Sequence, residues 1–278
     1  IVVLERNSVG TDISIEGITS LGEAVVYPNT VADEVVERIH DAEIIVANKV
    51  PLNESTLKDA PNVKLICEFA TGFDNVDIAY CRSRGIKVAN IVGYSTDSVA
   101  QHTFALCLYV LEKLKRYDDY VKSGTYAAQS RFSNFDLPFF ELAGKTWGIV
   151  GMGNIGRVIF YSVTGKSSCT DYERVDFDTL LAESDVLSLH CPLSDLTRHL
   201  INKEALKKMK SSAVLVNVAR GPVVCDEDLY EALVEGEIAG AGLDVTSTEP
   251  MKESNPLSRI QDSSRLIITP HMAWASVE

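Results

Sequence analysis

The chain has 278 residues, of which 46% are hydrophobic, so it can bury a sizeable core and is not disordered as a whole. Its 39 acidic residues outnumber 26 basic ones, and the formal net charge of −13 argues against nucleic-acid or anionic-lipid partners. No apolar run approaches the roughly 20 residues of a membrane helix. The six cysteines have no metal-ligand spacing, so we expect no metal site and reduced thiols in a cytoplasmic protein.

Strand-like runs alternate with helix-like segments through the first third of the chain. The apolar runs are IVVLE (1–5), AVVYP (24–28), AEIIVANKV (42–50), VKLICEFA (63–70) and IKVANIV (86–92). Helical spacing occurs between them, in DEVVERIHD (33–41) and NVDIAYCRSRG (75–85). Runs that are apolar on both faces and separated by helices predict a parallel sheet that is covered on both sides.

A long helical pattern follows, starting near Asp97 and reaching Gly124. Asp97 or Ser98 is a suitable N-cap, and Gly124 is a suitable stop. Residues 125–145 have no sustained period and are predicted to be irregular. A second α/β series then begins, with its apolar runs in KTWGIVGMGNIG (145–156), SDVLSLHCPL (184–193), SAVLVNVARG (212–221), AGAGLDV (239–245) and RLIITPH (265–271).

The sequence GMGNIG (151–156) directly follows the short strand TWGIV, which is the strand–turn order of a dinucleotide-binding motif. Gly151 permits the tight turn, Gly153 lets the backbone approach a pyrophosphate, and Gly156 lets helix and strand pack closely. The helix N-terminus would attract the phosphates through its free N–H groups. The other residues expected to contribute amides or charge there are Asn154, Ile155 and Arg157.

Too few residues follow this turn to form the helix that is expected there. The strand-like VIFYS starts at Val158, whereas a parallel crossover takes about a dozen or more residues. Either the protein lacks the helix, or VIFYS is itself helical, or helix residues are absent from the numbered chain. We favour the third explanation, because β-branched and aromatic residues disfavour a helical VIFYS, and a missing helix would leave a sheet face uncovered.

The choice of ribose-binding residue depends on this gap. An acidic residue that binds the ribose 2′-OH is expected about 20 residues after the turn, at the end of the second strand. Direct counting gives Asp171, which lies in a polar stretch beyond the strand. Restoring about nine residues moves the expected position to Ser162. Serine carries no charge to repel a 2′-phosphate, so we expect NAD as cofactor with NADP use also open.

Three polar residues follow strands of the second series: Arg220, Glu249 and His271. Ligands in open α/β sheets bind at the carboxyl ends of the strands. A histidine can exchange a proton, a neighbouring carboxylate can orient it, and an arginine can clamp a substrate carboxylate. The three residues together suit a reaction that moves a hydride and a proton.

Five motifs of the chain resemble the D-isomer-specific 2-hydroxyacid dehydrogenases. They are GYSTDSVAQHTFAL (93–106), ELAGKTWGIVGMGNIG (141–156), NVARGPVV (217–224), AGAGLDV with the following EP (239–250) and TPHMAWAS (269–276). The resemblance covers essentially the whole chain. It implies that Arg220 binds the substrate, that Glu249 supports the histidine, and that His271 is the acid/base.

The resemblance also implies the architecture and the remaining site residues. The fold class is α/β, with two doubly wound parallel-sheet domains. A Rossmann NAD(P)-binding domain (97–270) is inserted into a flavodoxin-like substrate domain (1–96 and 271–278). The implied substrate contacts are backbone amides near Thr71 and Gly72, with Trp274 and Ser276 at the edge. The implied cofactor contacts are His190, Pro192, Thr197, Ala219 and Asp244.

The first of these motifs is particularly similar to hydroxypyruvate reductases, so the expected substrate is hydroxypyruvate or glycerate, followed by D-lactate or a branched 2-hydroxy acid. Two alternatives stay open at this point: a formate or phosphite dehydrogenase, and a dinucleotide-sensing binding module of the corepressor type. Family members commonly form homodimers through the helix after Asp97. The family usually continues beyond HMAWASVE with a C-terminal helix, so we expect residues of the natural chain to be missing there.

Overall fold

A computed structural model of the protein describes residues 1–10, 12–134, 136, 138–151, 159–165 and 169–276. The chain divides into two compact units, residues 1–94 and 95–278. No helix in the described ranges is both long enough and apolar enough to span a membrane.

The first unit contains a five-stranded parallel sheet in the order β2-β1-β3-β4-β5. This order is that of flavodoxin-like folds. Its strands are β1 (Val2–Val3), β2 (Val25–Val26), β3 (Ile44–Ala47), β4 (Leu65–Glu68) and β5 (Lys87–Ala89). Its α-helices are α1 (Glu16–Thr19), α2 (Val35–Ile39), α3 (Glu54–Leu57) and α4 (Ile78–Ser83), with 3₁₀ turns at Arg6–Ser8 and Ala32–Glu34. All five strands predicted from the apolar runs are therefore present.

The strand order of the first sheet reverses between β1 and β3, and a glutamate occupies this point. Oε2 of Glu5, which follows β1, accepts backbone N–H bonds from Asn48 and Lys49 at 2.8 Å each and from Val50 at 3.2 Å. Three successive amides pointing at one oxygen form an anion-binding concavity. In this unit the concavity is filled by the protein's own carboxylate.

A second glutamate of this sheet is buried beside the first. Glu68 ends β4 and is only 2% exposed. Its Oε1 accepts a 3.2 Å bond from Asn75 Nδ2, whereas its buried Oε2 has no hydrogen-bond partner among the described residues. Burial raises the pKa of Glu68 from 4.5 to about 7, although the bond from Asn75 opposes this shift. Glu5 and Asp74 raise this pKa further, and Lys49 lowers it.

We expect Glu68→Gln to change how folding stability depends on pH. Because the folded-state pKa is raised, stability from the protonated carboxyl is fully present below about pH 4.5 and is lost as the pH rises through about 7. The glutamine cannot ionise, so above pH 8 the variant should exceed the wild type in unfolding free energy by up to about 3 kcal/mol. Urea denaturation at pH 5 and pH 8 measures the difference.

The matched control is Glu43→Gln, at an exposed glutamate just before β3. The ion pair with Lys64 lowers the pKa of Glu43, so this substitution should not produce a gain in stability at high pH. Parallel pH profiles for wild type and Glu68→Gln would show that Glu68 does not titrate abnormally.

The second unit contains a seven-stranded parallel sheet in the order β12-β11-β10-β9-β6-β7-β8. Its strands are β6 (Trp147–Val150), β7 (Ile159–Tyr161), β8 (Glu173–Arg174), β9 (Val186–Leu189), β10 (Val214–Asn217), β11 (Gly240–Leu243) and β12 (Leu266–Ile268). Its α-helices are α5 (Thr96–Leu111), α6 (Leu114–Lys122), α7 (Thr125–Ala128), α8 (Phe177–Glu183), α9 (Lys203–Lys208) and α10 (Asp226–Glu235), with 3₁₀ turns at Gly221–Val223 and Pro256–Arg259. The order is that of a Rossmann sheet with one added strand, so the predicted fold class is confirmed for both units.

The strand order of the second sheet reverses between β6 and β9, which is where such sheets bind dinucleotides. β6 pairs in parallel with β7, although only residues 151–158 separate them. The strand at Ile159–Tyr161 also shows that the helical alternative for VIFYS is wrong.

The predicted single helix from Asp97 to Gly124 is wrong in detail. The helix begins at Thr96, with Ser95 as a cap that makes no side-chain bond, and a left-handed Lys113 (φ 55°) separates α5 from α6. Leu106, Cys107 and Val110 of α5 pack on the sheet, whereas no residue of α6 is buried. Gly124 is left-handed, as a helix stop requires, but α7 begins directly after it.

The predicted domain boundary near residue 96 lies close to the division at residue 94. Residues 271–276 group with the second unit, whereas the sequence assigned 271–278 to the substrate domain. Their hydrogen bonds explain this grouping, because the backbone amides of Met272 and Ala273 donate to Asp244. The division into substrate and nucleotide domains stays a prediction.

Candidate active site

The predicted Arg, Glu and His all follow the carboxyl ends of neighbouring parallel strands in the second unit. Arg220 comes after β10, Glu249 after β11 and His271 after β12. Because β10, β11 and β12 are adjacent in the sheet, their polar termini share one edge. The structure joins Glu249 and His271 directly.

His271 and Glu249 form a short hydrogen-bonded pair. The distance from His271 Nδ1 to Glu249 Oε2 is 2.6 Å, and the side chains are 24% and 32% exposed. A carboxylate accepts, so Nδ1 carries the proton, and Nε2 is the nitrogen that can exchange a proton with a ligand. Glu249 Oε1 also accepts a 3.2 Å bond from the Thr246 amide. The imidazole is therefore fixed in one tautomer and orientation.

Asp244 anchors the segment that carries His271. Its carboxylate is 1% exposed and accepts from Thr269 Oγ1 at 2.6 Å and from the amides of Met272 and Ala273 at 2.9 Å each. Its backbone carbonyl accepts from the His271 amide at 2.8 Å. His271 adopts a left-handed backbone (φ 53°), which is uncommon outside glycine, and these bonds hold it there. The predicted contact of Asp244 with a nicotinamide stays a prediction.

Arg220 lies on a turn that the side chain of Asn217 stabilises. The buried Asn217 side chain accepts from the Ala219 amide and donates to the Arg220 carbonyl, both at 3.0 Å. Arg220 is half-buried, and its Nη1 donates to the Ala219 carbonyl at 2.9 Å. A Cβ on Gly221 would overlap the Thr246 carbonyl, so the Arg220 turn packs against the loop that leads to Glu249.

The edge where the sheet order reverses fits a dinucleotide. Gly151 has φ +86°, and a Cβ there would come within 2.7 Å of the Cys191 amide, so only glycine allows this approach. His190 follows β9 directly, and burial lowers its pKa to about 4, so a neutral imidazole borders the crevice. Its Nε2 lies 3.1 Å from Ser188 Oγ.

The remaining predicted cofactor residues shape this same edge. Thr197 is 2% exposed, and its hydroxyl donates to the Pro192 carbonyl at 2.7 Å and accepts from the Ser194 amide at 2.7 Å. Thr197 thus closes the turn that begins at the exposed Pro192. Ala219 is 9% exposed and lies on the Arg220 turn. Their contacts with a cofactor stay predictions.

The structure supports Ser162 over Asp171 as the residue at the end of the second strand. β7 ends at Tyr161, which pairs with Val150 of β6, and Ser162 follows directly with 9% exposure. Asp171 lies nine residues further on, in a polar bend before β8. The predicted residues Gly153, Asn154, Ile155, Gly156 and Arg157 lie outside the described residues, as does the connection to Val158.

The predicted substrate residues lie in both units. Thr71 and Gly72 belong to the loop after β4 in the first unit, where Asn90 Nδ2 donates to the Thr71 carbonyl at 2.7 Å. Trp274 and Ser276 follow His271 in the second unit, half-buried and exposed respectively. No group of three His, Cys, Asp or Glu side chains in the described ranges could hold a metal ion.

Two polar residues of the second unit make contacts that the sequence does not reveal. His102 on α5 lies 2.9 Å from Thr269 Oγ1 and 3.5 Å from Asp244, so it extends the anchor of the His271 segment. Asp226, the first residue of α10, binds the loop that carries Glu249. Its acidic run DED predicts only a helix start, because its partners lie more than 20 positions away.

Comparisons with known proteins show the family of the chain. Residues 104–273 match the family model "D-isomer specific 2-hydroxyacid dehydrogenase, NAD binding domain". The chain is 39% identical to a glycerate dehydrogenase from Methylorubrum extorquens, over 100% of this chain and 90% of that protein. It is 38% identical to a hydroxypyruvate reductase from Blautia hydrogenotrophica, over 96% of this chain and 87% of that protein. The chain belongs to the D-isomer specific 2-hydroxyacid dehydrogenase family, and is thus an oxidoreductase with an NAD(P)-binding domain.

Solved structures show the same fold. A D-lactate dehydrogenase from Aquifex aeolicus, solved with NAD and lactic acid, superimposes with a TM-score of 0.86 at 31% identity, covering 100% of this chain and 90% of that one. An NADPH-dependent glyoxylate/hydroxypyruvate reductase from Sinorhizobium meliloti, solved with NADP and malonate, gives a TM-score of 0.80 at 26% identity, covering 99% and 87%.

The lengths of the alignments bear on the short connection after Gly151. The alignment with the glycerate dehydrogenase spans 286 positions, which exceeds the 278 residues of this chain, so that relative has internal residues without a counterpart here. The prediction that about nine of them belong after Gly156 stays a prediction.

Proposed function

We propose that the protein reduces hydroxypyruvate to D-glycerate with NAD(P)H and catalyses the reverse reaction. The observation that carries this proposal is the 2.6 Å pair between His271 Nδ1 and Glu249 Oε2, on the strand edge that also bears Arg220. An oriented imidazole and a guanidinium at one edge are the groups that reduction of a 2-oxo acid requires. Hydroxypyruvate reductase and glycerate dehydrogenase activities are named among the similar proteins.

The residues of the chain act on the carboxylate and on the 2-oxo group of the substrate. The chemistry that NAD(P)H supplies when bound is the hydride. The Arg220 guanidinium donates N–H bonds to the substrate carboxylate and fixes the carbonyl carbon in place. His271 Nε2 donates a proton to the carbonyl oxygen as negative charge develops there, and Glu249 stabilises the imidazolium during the transfer.

The proposal also includes the other site residues that the family resemblance implies. Backbone amides near Thr71 and Gly72 would bind the substrate carboxylate, and Trp274 and Ser276 would border the substrate side chain. Ser162 would face the ribose without the charge that rejects a 2′-phosphate, so the proposal includes NADP as well as NAD.

The proposal also includes a homodimeric assembly and a cytoplasmic location. The chain would form a homodimer through the helix after Asp97, α5, and its neighbours. Exposed apolar side chains on this segment support such a contact, among them Phe104, Leu114 and Val121. All six cysteines are free, which favours the reducing cytoplasm.

A spectrophotometric scan tests the proposal. NADH and NADPH oxidation would be followed with hydroxypyruvate, pyruvate and 2-oxoisocaproate, and NAD reduction with formate. We expect the highest kcat/KM with hydroxypyruvate. No turnover with any of these acids would favour a dinucleotide-sensing binding module, and turnover with formate alone would favour a formate dehydrogenase.

A further inference from the structure

We propose that Asp226 is a positioning residue for the acid/base pair, holding the Glu249 loop (residues 244–249) so that Glu249 meets His271. The inference rests on the proposed function of that pair. The hydrogen bonds of Asp226 in the described ranges go to Ser247 and Asn255, so it would act on Glu249 and His271 through the loop.

The contacts of Asp226 converge on the loop and its continuation. Its side chain is 4% exposed, and its Oδ2 accepts from Ser247 Oγ, from the Ser247 amide at 3.4 Å and from Asn255 Nδ2 at 2.6 Å. The partners of this buried carboxylate in the described ranges are neutral donors. A charged acceptor makes stronger bonds to such donors than a neutral one.

Ser247 lies in the middle of the loop, so its bond to Asp226 also restricts the position of Glu249. The Thr246 amide donates to Glu249 Oε1 at 3.2 Å, and Thr246 Oγ1 donates to the Thr248 carbonyl at 2.9 Å. These bonds fold the loop on itself around Ser247. The contact with Asp226 then joins this folded loop to the body of the second unit.

The helix that carries Asp226 is itself firmly placed. Leu229, Ala232 and Leu233 of α10 are buried in the largest core cluster. Asp226 is the first residue of this ten-residue helix, where the helix dipole favours a negative charge. The carboxylate is thus a fixed point to which the loop is attached.

Asp226 also joins the loop to the substrate clamp. The chain runs from Arg220 through the 3₁₀ turn Gly221–Val223 into α10, and Gly221 packs on the Thr246 carbonyl. The segment from Arg220 to Asp226 therefore touches the Glu249 loop at both of its ends. This double contact attaches the Glu249 loop to the segment that follows Arg220.

Two substitutions at Asp226 separate positioning from folding. Asp226→Ala removes all three bonds, and we expect kcat for hydroxypyruvate reduction to fall about 10- to 100-fold while KM stays nearly unchanged. Asp226→Asn retains one carbonyl oxygen as acceptor and should recover most of kcat. Ser247→Ala, which removes only the hydroxyl donor on the loop, should give a smaller loss in the same direction.

The matched control is Asp228→Ala, two residues further along α10. Asp228 accepts from the Lys203 amide at 2.9 Å, on the side of α9 and not of the Glu249 loop. We expect this variant to keep wild-type kcat, even where its melting temperature falls as far as that of Asp226→Ala.

A spectroscopic readout tests the inference without turnover. In protein labelled with ¹⁵N-histidine, the Nδ1 proton of His271 bonded to Glu249 should give a downfield resonance, assigned by its loss in His271→Gln. We expect Asp226→Ala to lose this resonance and Asp228→Ala to keep it. Wild-type kcat together with an intact resonance in Asp226→Ala would overturn the inference, whereas full turnover in His271→Gln would overturn the proposed function itself.

Discussion

His271→Gln should lower kcat for hydroxypyruvate reduction by about 10²–10⁴-fold, the usual contribution of a positioned general acid. Glutamine matches the length of histidine, but its amide cannot supply a proton to the developing alkoxide. The loss corresponds to about 3–5 kcal/mol of transition-state stabilisation. Steady-state oxidation of NADH measures it.

The same substitution should leave cofactor binding nearly unchanged. The bonds that hold the His271 segment come from its backbone and from Asp244, and neither involves the imidazole. NADH fluorescence titration checks this point. His40→Gln, at an exposed histidine of the first unit, is the control and should retain full activity. An unchanged turnover number in His271→Gln would remove this residue from the acid/base role.

Arg220→Ala should lower kcat/KM about a thousandfold, because truncating one partner of a charged hydrogen-bonded pair costs about 2–5 kcal/mol. Arg220→Lys keeps the charge but loses the planar fork that matches a carboxylate. We therefore expect the lysine variant to recover little of the loss. Kinetics with hydroxypyruvate and NADH measure both variants.

The control for Arg220 is Arg198→Lys, at an exposed arginine beyond the turn closed by Thr197. It should behave as the wild type. A loss in Arg220→Lys no larger than that in Arg198→Lys would show that Arg220 does not bind the carboxylate in a forked geometry.

The sequence alone predicts both parallel sheets and the triad at the strand ends. Buried parallel strands are continuous apolar runs, and their ends are marked by polar residues such as Arg220 and His271. The choice of Ser162 also follows from sequence, because the apolar run ends at Tyr161, where the structure ends β7.

Sequence reasoning does not predict features that depend on contacts between residues far apart in the chain. Lys113 lies in a stretch without glycine or proline, and nothing in its local sequence marks the break between α5 and α6. The resemblance implies a cofactor contact for Asp244, but the local sequence does not show its bonds to Thr269, Met272 and Ala273, which cross at least 25 positions. The partners of Asp226, Ser247 and Asn255, are likewise more than 20 positions away.

Glu5, at the point where the strand order of the first sheet reverses, makes the two units differ at their potential anion-binding crevices. Both sheets are parallel and reverse their strand order, so each topology creates a crevice suited to an anion. In the second unit Gly151 itself adds no side chain to that crevice. In the first, Glu5 supplies a permanent internal ligand to the amides of residues 48–50. An external anion could therefore bind at these three amides only by displacing a carboxylate of the protein itself.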